Sequence, residues 1–402
     1  MKKNTIALMV SLALGSMAAP VFAGDSITSA FSESTASVDF NLRYESVDQD
    51  NALKNADAFT LRTRLTYKTG SFNGFSAVIE AEDSRNVLGM DDYNNGNGKN
   101  AGIYSVIADP ETTELDQAFV QYKSDTLTVK AGRQVITYDG HRFVGHVGWR
   151  QDRQTFDGVS VAYAPSKELK LNYAYVTQRN RIFAEAKDFD AKDHLFNASY
   201  STSIGTLTGY GYLLEVDNDT DNSLDTWGAS FKGATSAGET KISYAIEYAT
   251  QDSDTATSSF SADYLALEAG ATFSGITATL GYESLGSDDG MYGFSTPLAT
   301  LHKFNGWSDQ FLGTPAVGLV DTYVSLGGKA LGGKIVVAYH DFSADEASAT
   351  VDDLGTELNL LYAKKFDDNY SAGVKYAAYS AGDGGAGKVD TDKLWVWVNA
   401  KF

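Results

Sequence analysis

From Val38 onward, apolar and polar residues alternate in segments of about ten residues, the period-two pattern of β-strands that present different faces to different surroundings. In "VDFNLRYES", Val38, Phe40, Leu42 and Tyr44 share one face, and Asp39, Asn41, Arg43 and Glu45 share the other. "FTLRTRLTY" repeats the pattern, with Phe59, Leu61, Thr63, Leu65 and Tyr67 set against Thr60, Arg62, Arg64 and Thr66. The same reading predicts strands near 74–85, 114–123, 126–134, 154–163, 167–178, 193–201, 204–216, 223–232, 239–250, 261–272, 275–286, 319–329, 332–342, 354–366, 369–380 and 392–402. The total is about eighteen, an even number.

The connections fall into two sets. "KTGSFN", Ser124-Asp125, Ala164 to Ser166, Ser274-Gly275, Ala330-Leu331 and Asp367 to Asn369 are tight; long segments lie around 86–113, 135–153, 179–192, 251–260, 287–318 and 343–353. Short turns at one end and long loops at the other predict an all-β transmembrane antiparallel barrel, with periplasmic turns, extracellular loops and both termini at the turn end. A membrane barrel must close, because lipid offers no partner to a strand edge. Eighteen strands about 4.8 Å apart and tilted about 40° enclose a cylinder roughly 35 Å across, too wide for side chains to fill, so water or inward loops must occupy it. A soluble sandwich would direct the apolar parity into a core and would have no reason to sort its loops by length.

The ends of the chain agree with this reading. Lys2 and Lys3, the apolar run Thr5 to Ala19 and Val21-Phe22-Ala23 form a signal peptide over residues 1–23, leaving 24–402 as the barrel. "DKLWVWVNAKF" places Leu394, Val396, Val398, Ala400 and Phe402 on one face and Trp395, Trp397, Asn399 and Lys401 on the other, and its aromatic end resembles the last-strand signal of Gram-negative outer-membrane barrels. The chain has 402 residues and a net charge of -20, with 23 Tyr, 21 Phe, 38 Gly, five Pro and no Cys; thiol chemistry and disulfides are excluded. The expected location is the outer membrane, with lipid and lipopolysaccharide as surroundings, no nucleic-acid partner, and a monomer by resemblance to barrels of this type.

Every arginine lies at or before Arg181, and later cations are lysines. Consecutive barrel strands are neighbours and the first seven form one continuous arc of wall, so the guanidinium groups are expected to be confined to one side of the pore. Arg43, Arg62 and Arg64 share the polar parity; an arginine turned to lipid at mid-membrane would cost about 2–4 kcal/mol, so these should face the lumen. Guanidinium stays charged and matches carboxylates bidentately, which suits the guiding of anions. The same arginines also have carboxylates within reach on neighbouring strands, Glu45, Glu80, Glu82 and Asp116, that would neutralise the wall instead.

The stretch "GRQVITYDGHRFVGHVGWRQDRQTFDGV", Gly132 to Val159, resembles the signature region of the alginate-export family of outer-membrane porins: "GRQ" at 132–134, "YDGHR" at 138–142 and "WRQDRQTFDGV" at 149–159. The resemblance implies a selective porin with an arginine-lined constriction, closed partly by a loop, that passes polyuronate. It places Arg133, Arg142, Arg150 and Arg153 in or beside that constriction, with Asp152 and Asp157 as counter-charges. The chain departs from the family in lacking arginine after Arg181, which points to a more general anionic or oligosaccharide channel. Strict alternation in "TLTVKAGRQ" would put Arg133 with the lipid-facing residues, so either the strand ends or bulges at Gly132 or Arg133 sits above the membrane and ties the loop to the wall; a loop-anchoring role for Arg133 and Asp157 is expected, whereas Arg43, Arg62, Arg64, Arg142, Arg150 and Arg153 are expected to line the pore.

Other chemistry is sparse. There is no Gly-x-Ser-x-Gly motif, and the five histidines have no metal-ligand spacing, so neither enzyme, cofactor nor metal is expected. A histidine-carboxylate pair drawn from His141, His146, Asp139 and Asp152 is the only hydrolytic arrangement worth examining. "DNDTDNSLD" at 217–225 begins like a calcium loop but has Asn222 for the required glycine and lacks the closing Glu, so it reads as solvated loop. The alternatives to a selective channel are a non-selective porin and a plugged barrel that binds through its surface loops.

Overall fold

The computed structural model describes residues 26–402. The leader expected over residues 1–23 lies outside the described residues. A short helix, α1 (Ile27–Ser32), is capped reciprocally by Ser26 and Ser29 and precedes the barrel; it is too short to leave a periodic signature. Eighteen strands follow: β1 (Thr35–Gln49), β2 (Ala56–Lys68), β3 (Phe75–Asp92), β4 (Thr112–Lys123), β5 (Leu127–Gln134), β6 (Thr155–Tyr163), β7 (Leu169–Asn180), β8 (Phe189–Ser201), β9 (Thr206–Glu215), β10 (Ser223–Ala237), β11 (Thr240–Asp254), β12 (Ser259–Phe273), β13 (Ile276–Leu285), β14 (Leu319–Ala330), β15 (Gly333–Ser343), β16 (Asp353–Lys365), β17 (Tyr370–Ser380) and β18 (Thr391–Lys401). Each pairs antiparallel with the next, and β1 pairs with β18 from Asp39↔Lys401 to Gln49↔Thr391, which closes the sheet. Closure leaves no edge strand to meet lipid.

Side-chain parity divides the wall as the alternation predicts. On β18 the outward Val396 and Val398 are nearly half exposed, whereas the inward Trp395 is fully buried. Leu65, Ile79, Val120 and Leu280 continue the exposed apolar band outside, and Arg43, Glu45, Arg62, Arg64, Glu80 and Glu82 are buried inside. Such a band facing lipid, with charge facing the lumen, is the outer-membrane arrangement.

Both ends of the barrel chain lie at the turn end, where Val38 and Phe402 exchange backbone hydrogen bonds of 2.9 Å. Several connections are shorter than expected: β3 runs on to Asp92, so the loop foreseen around 86–113 narrows to 93–111, and the one around 179–192 narrows to 181–188. The loop foreseen around 251–260 shrinks to four residues, because β11 continues to Asp254 and β12 begins at Ser259, where polar residues on both faces hide the alternation. The longest connections, 93–111, 135–154 and 286–318, turn into the barrel, and they carry the site.

Candidate functional site

The loop 135–154 enters the lumen at Gly132, whose φ of +124° and lack of a side chain permit the strand to pass close to Ala118. Its tip is seated by Phe143, which packs among Tyr210, Tyr212, Tyr264 and Phe294, two of them edge-to-face. Aromatic clusters of this kind bury large apolar area with defined geometry. The loop 286–318 comes from the opposite side and docks on it: the Gly145 N–H donates to the Leu298 carbonyl at 2.8 Å and the Thr300 N–H to that of His141 at 3.0 Å.

Arginines fasten the loop pair to the wall. Arg142 donates from Nε to Glu283 Oε1 on β13 at 2.6 Å, and from Nη1 and Nη2 to Thr296 and Asn305 at 3.1 and 3.3 Å. Arg150 donates to both Glu45 oxygens at 3.1 and 3.0 Å and to Asp309 at 3.1 Å, and three surrounding carboxylates hold its guanidinium well above its ordinary range. Arg43 pairs with Asp109, which also accepts the Gln151 N–H at 2.8 Å. Arg153 reaches Glu80 and Asp116, the latter at 2.8 Å; Arg64 pairs with Glu82 and Asp116, and Arg62 with Asp39. All six arginines expected at the pore thus point inward, and each is occupied by acid. They are not confined to one arc, because the loop carries Arg142 across the lumen to β13. Arg133 has the outward parity and makes a cross-strand pair with Asp157, Nε to Oδ1 at 2.8 Å and Nη2 to Oδ2 at 3.2 Å.

A second group joins the loops to β17 and β18. Trp149 stacks on His302 with ring centroids 4.9 Å apart and meets Trp395 and Trp397 edge-on. Lys375 Nζ sits 4.4 Å from the Trp149 ring, 3.9 Å from Trp307 and 5.4 Å from Trp395, a three-sided cation–π box. It also lies 2.7 Å from His302 Nε2, while His302 Nδ1 lies 2.6 Å from Asp309. Burial pushes His302 down to about 3 despite Asp309, so the ring is neutral, with Nδ1–H donated to Asp309 and Nε2 accepting from Lys375. Lys393 completes the group at 2.9 Å from Asp309.

Beside the docked loops lies a cavity of about 390 Å³ lined by Lys232, Lys303, Tyr264, Phe304, Trp307 and Tyr323 among others. Three of its acids are ion-paired, Glu247 with Lys232, Glu283 with Arg142 and Asp321 with His340, while Glu268 accepts from the Tyr323 hydroxyl at 2.8 Å and Asp139 from Asn197. Lys303 donates to the Gly140 carbonyl at 2.7 Å, and Lys388 to that of Gln310 at 2.5 Å. Among the described residues neither Lys303, Lys388 nor Lys375 forms an ion pair with a carboxylate. The sequence reading concentrated on arginine and missed these lysines. Only Lys303 had a signal, the length of the loop 286–318 that carries it, which makes that loop an inward-fold candidate; Lys375 on β17 and Lys388 in the 381–390 connection had none.

The proposed hydrolytic pair does not assemble. His141 Nδ1 lies 3.3 Å from Thr300 Oγ1, and its ring is edge-to-face with His146 at 4.9 Å. Asp139 accepts from Asn197 and Tyr212, and Asp152 from the Ala184 N–H at 3.1 Å. Burial pushes His146 down to about 4, and the charges of His141, Arg153 and Arg64 add to the effect. Asp152 is displaced upward, first by burial and then by the adjacent charge of Glu114. In the 217–225 segment, Asp217 pairs with Lys192 at 2.8 Å.

A family model described as alginate export matches residues 33–280, more than half of the chain. The chain belongs to the alginate export family. The match runs from β1 into the first half of β13 and includes the whole of the 135–154 loop. Its fold is also that of several solved structures: Acinetobacter baumannii OccAB1, with a TM-score of 0.73, 13% identity and coverage of 94% of this chain and 99% of that one; Pseudomonas aeruginosa OccK9 (OpdG), with 0.73, 14%, 93% and 100%; and the outer membrane protein opdK from Pseudomonas aeruginosa, with 0.70, 14%, 92% and 98%. No curated protein matches the chain. This member of the family is an outer-membrane β-barrel with a porin fold.

Proposed function

We propose that the chain is a passive, non-enzymatic porin, working as a monomer, whose lumen passes small or oligomeric anionic solutes, carboxylates or uronates, past the docked loop pair. The observation that carries the reading is the division of labour among cations. Arg43, Arg62, Arg64, Arg142, Arg150 and Arg153 each hold a carboxylate and frame the wall and constriction, whereas Lys303 and Lys388 keep charge free for a passing anion. Arg133 and Asp157 tie the root of the 135–154 loop to its strand pair. Tyr264, Phe304, Trp307 and Tyr323 add aromatic faces beside Lys303, a surface suited to sugar rings that carry carboxylates.

The test is current through purified protein in a planar bilayer under a salt gradient. The expected reversal potential favours anions, shifts toward zero in the Lys303→Gln/Lys388→Gln double variant, and is accompanied by stronger block from uronate or succinate than from a neutral oligosaccharide. A parent reversal potential near zero leaves a non-selective porin, and an anion-favouring potential unmoved by the double variant removes the role of these lysines. The tight burial of Val144, Leu298 and Ala299 where the loops meet favours one further reading, a plugged barrel acting through its surface loops; insertion without steady current would establish it.

A further inference from the structure

Where the 135–154 loop rejoins the wall, three carboxylates converge. Glu82 on β3, Glu114 on β4 and Asp152 near the end of the loop each offer an oxygen, and these oxygens lie within 4.8 Å of one another. Glu82 and Glu114 are direct register partners across the two strands. Like charges placed opposite in a sheet repel, and burial raises the cost because water no longer screens them. Glu82 and Asp152 are each only 1% exposed.

Two observations show that the charge is only partly compensated. Glu82 Oε1 and Asp152 Oδ1 are buried, and neither accepts a hydrogen bond from the described residues. The nearby cations are too few: Arg64 and Arg153 serve Glu82, Asp116 and Glu80, two cations for three acids, and neither Glu114 nor Asp152 has an ion pair among the described residues. The cluster as a whole therefore carries five carboxylates against two guanidinium groups. Buried carboxylate oxygens without donors are costly unless something occupies them.

We propose that Glu82, Glu114 and Asp152 hold a hard divalent cation of the calcium class, which pins the root of the inward loop to β3 and β4. The donor set is all oxygen, which selects calcium or magnesium over softer metals. Oxygens sharing a calcium ion at about 2.4 Å lie at most about 4.8 Å apart, a spacing that this trio meets. The ion would tie together three segments that otherwise repel, directly beside Arg150 and Arg153, and so would stiffen the constriction.

The experiment uses the whole barrel in detergent, free of lipopolysaccharide and stripped with EDTA, titrated with terbium and then with calcium or magnesium in competition. One site per chain is expected, together with a rise in melting temperature on adding calcium. Asp152→Asn and Glu114→Gln should each weaken binding at least tenfold and abolish the calcium-dependent thermal shift while still folding, because each substitution relieves the repulsion that the ion relieves. Asp219→Asn, in the exposed 217–225 segment, should change neither. Binding that survives both cluster substitutions overturns the proposal, as does the lack of any binding at about 10 mM calcium, beyond even weak extracellular sites; the carboxyls would then share a proton instead.

Discussion

Replacing Arg150 by Met is the sharpest test of how the loops are held. The guanidinium is buried and bonds Glu45 twice and Asp309 once, at 3.0 to 3.1 Å, with Asp109 3.5 Å away. Met preserves most of the volume and removes the charge. Asp309 would keep His302 and Lys393, and Asp109 would keep Arg43, but Glu45 would be left with Arg43 at 3.6 Å as its ion-pair partner. Breaking a buried ion pair by removing one partner costs about 3–5 kcal/mol; because the released carboxylate can rehydrate in a watery lumen, the low end applies, about 3 kcal/mol against the docked state. That raises the undocked fraction on the order of a hundredfold. The barrel ladder is untouched, so heat-modifiable migration on gels should match the parent protein. Single-channel records should show frequent excursions to a higher conductance. If the variant shows the parent's conductance and noise, Arg150 does not hold the loops and the framing role assigned to the arginines is wrong.

Acidification should loosen the same contact through His302. The docked ring takes a proton only near pH 3, whereas a released ring does so near its ordinary value of 6.5, so docking is at full strength above about 6.5 and weakens by up to about tenfold per pH unit on descending toward 3. Recordings between pH 7 and 4.5 should show rising open conductance that His302→Gln reduces, leaving the share of His146, which burial also holds down; an identical response in that variant would assign the whole effect to another group. Gly132→Val should prevent assembly, since a side chain there would meet the Ala118 carbonyl oxygen at 2.2 Å and the φ of +124° disfavours any side chain; normal folding yield would contradict this. Phe143→Ala removes a ring packed against four aromatic residues and should cost the loop tip about 3–5 kcal/mol, read as faster proteolysis within 135–154 while the barrel stays intact.

Strand number, order and facing were legible because lipid and lumen impose opposite demands on alternate residues, and the chain records those demands at every second position. Val396 against Trp395 and Leu65 against Arg64 are readable without coordinates for that reason. The limits of β11 and β12 were not, because near the loop end both faces are wet and the alternation fades. Inward parity was likewise legible for Arg43, Arg62 and Arg64, and strict alternation also gave Arg133 its outward parity, the ladder running through Gly132 with no bulge.

What the chain could not reveal was the path of its long loops. Arg142 meeting Glu283, 141 positions away, or Lys375 boxed by Trp149, Trp307 and Trp395, depends on two loops entering one lumen from opposite walls, and no local periodicity encodes that encounter. Sequence alone determined a barrel wide enough to need filling and a basic loop able to enter it. Tertiary structure decided which acids that loop's arginines would meet, and so left the free positive charge on lysines. It also gathered three carboxylates where the loop returns to the wall.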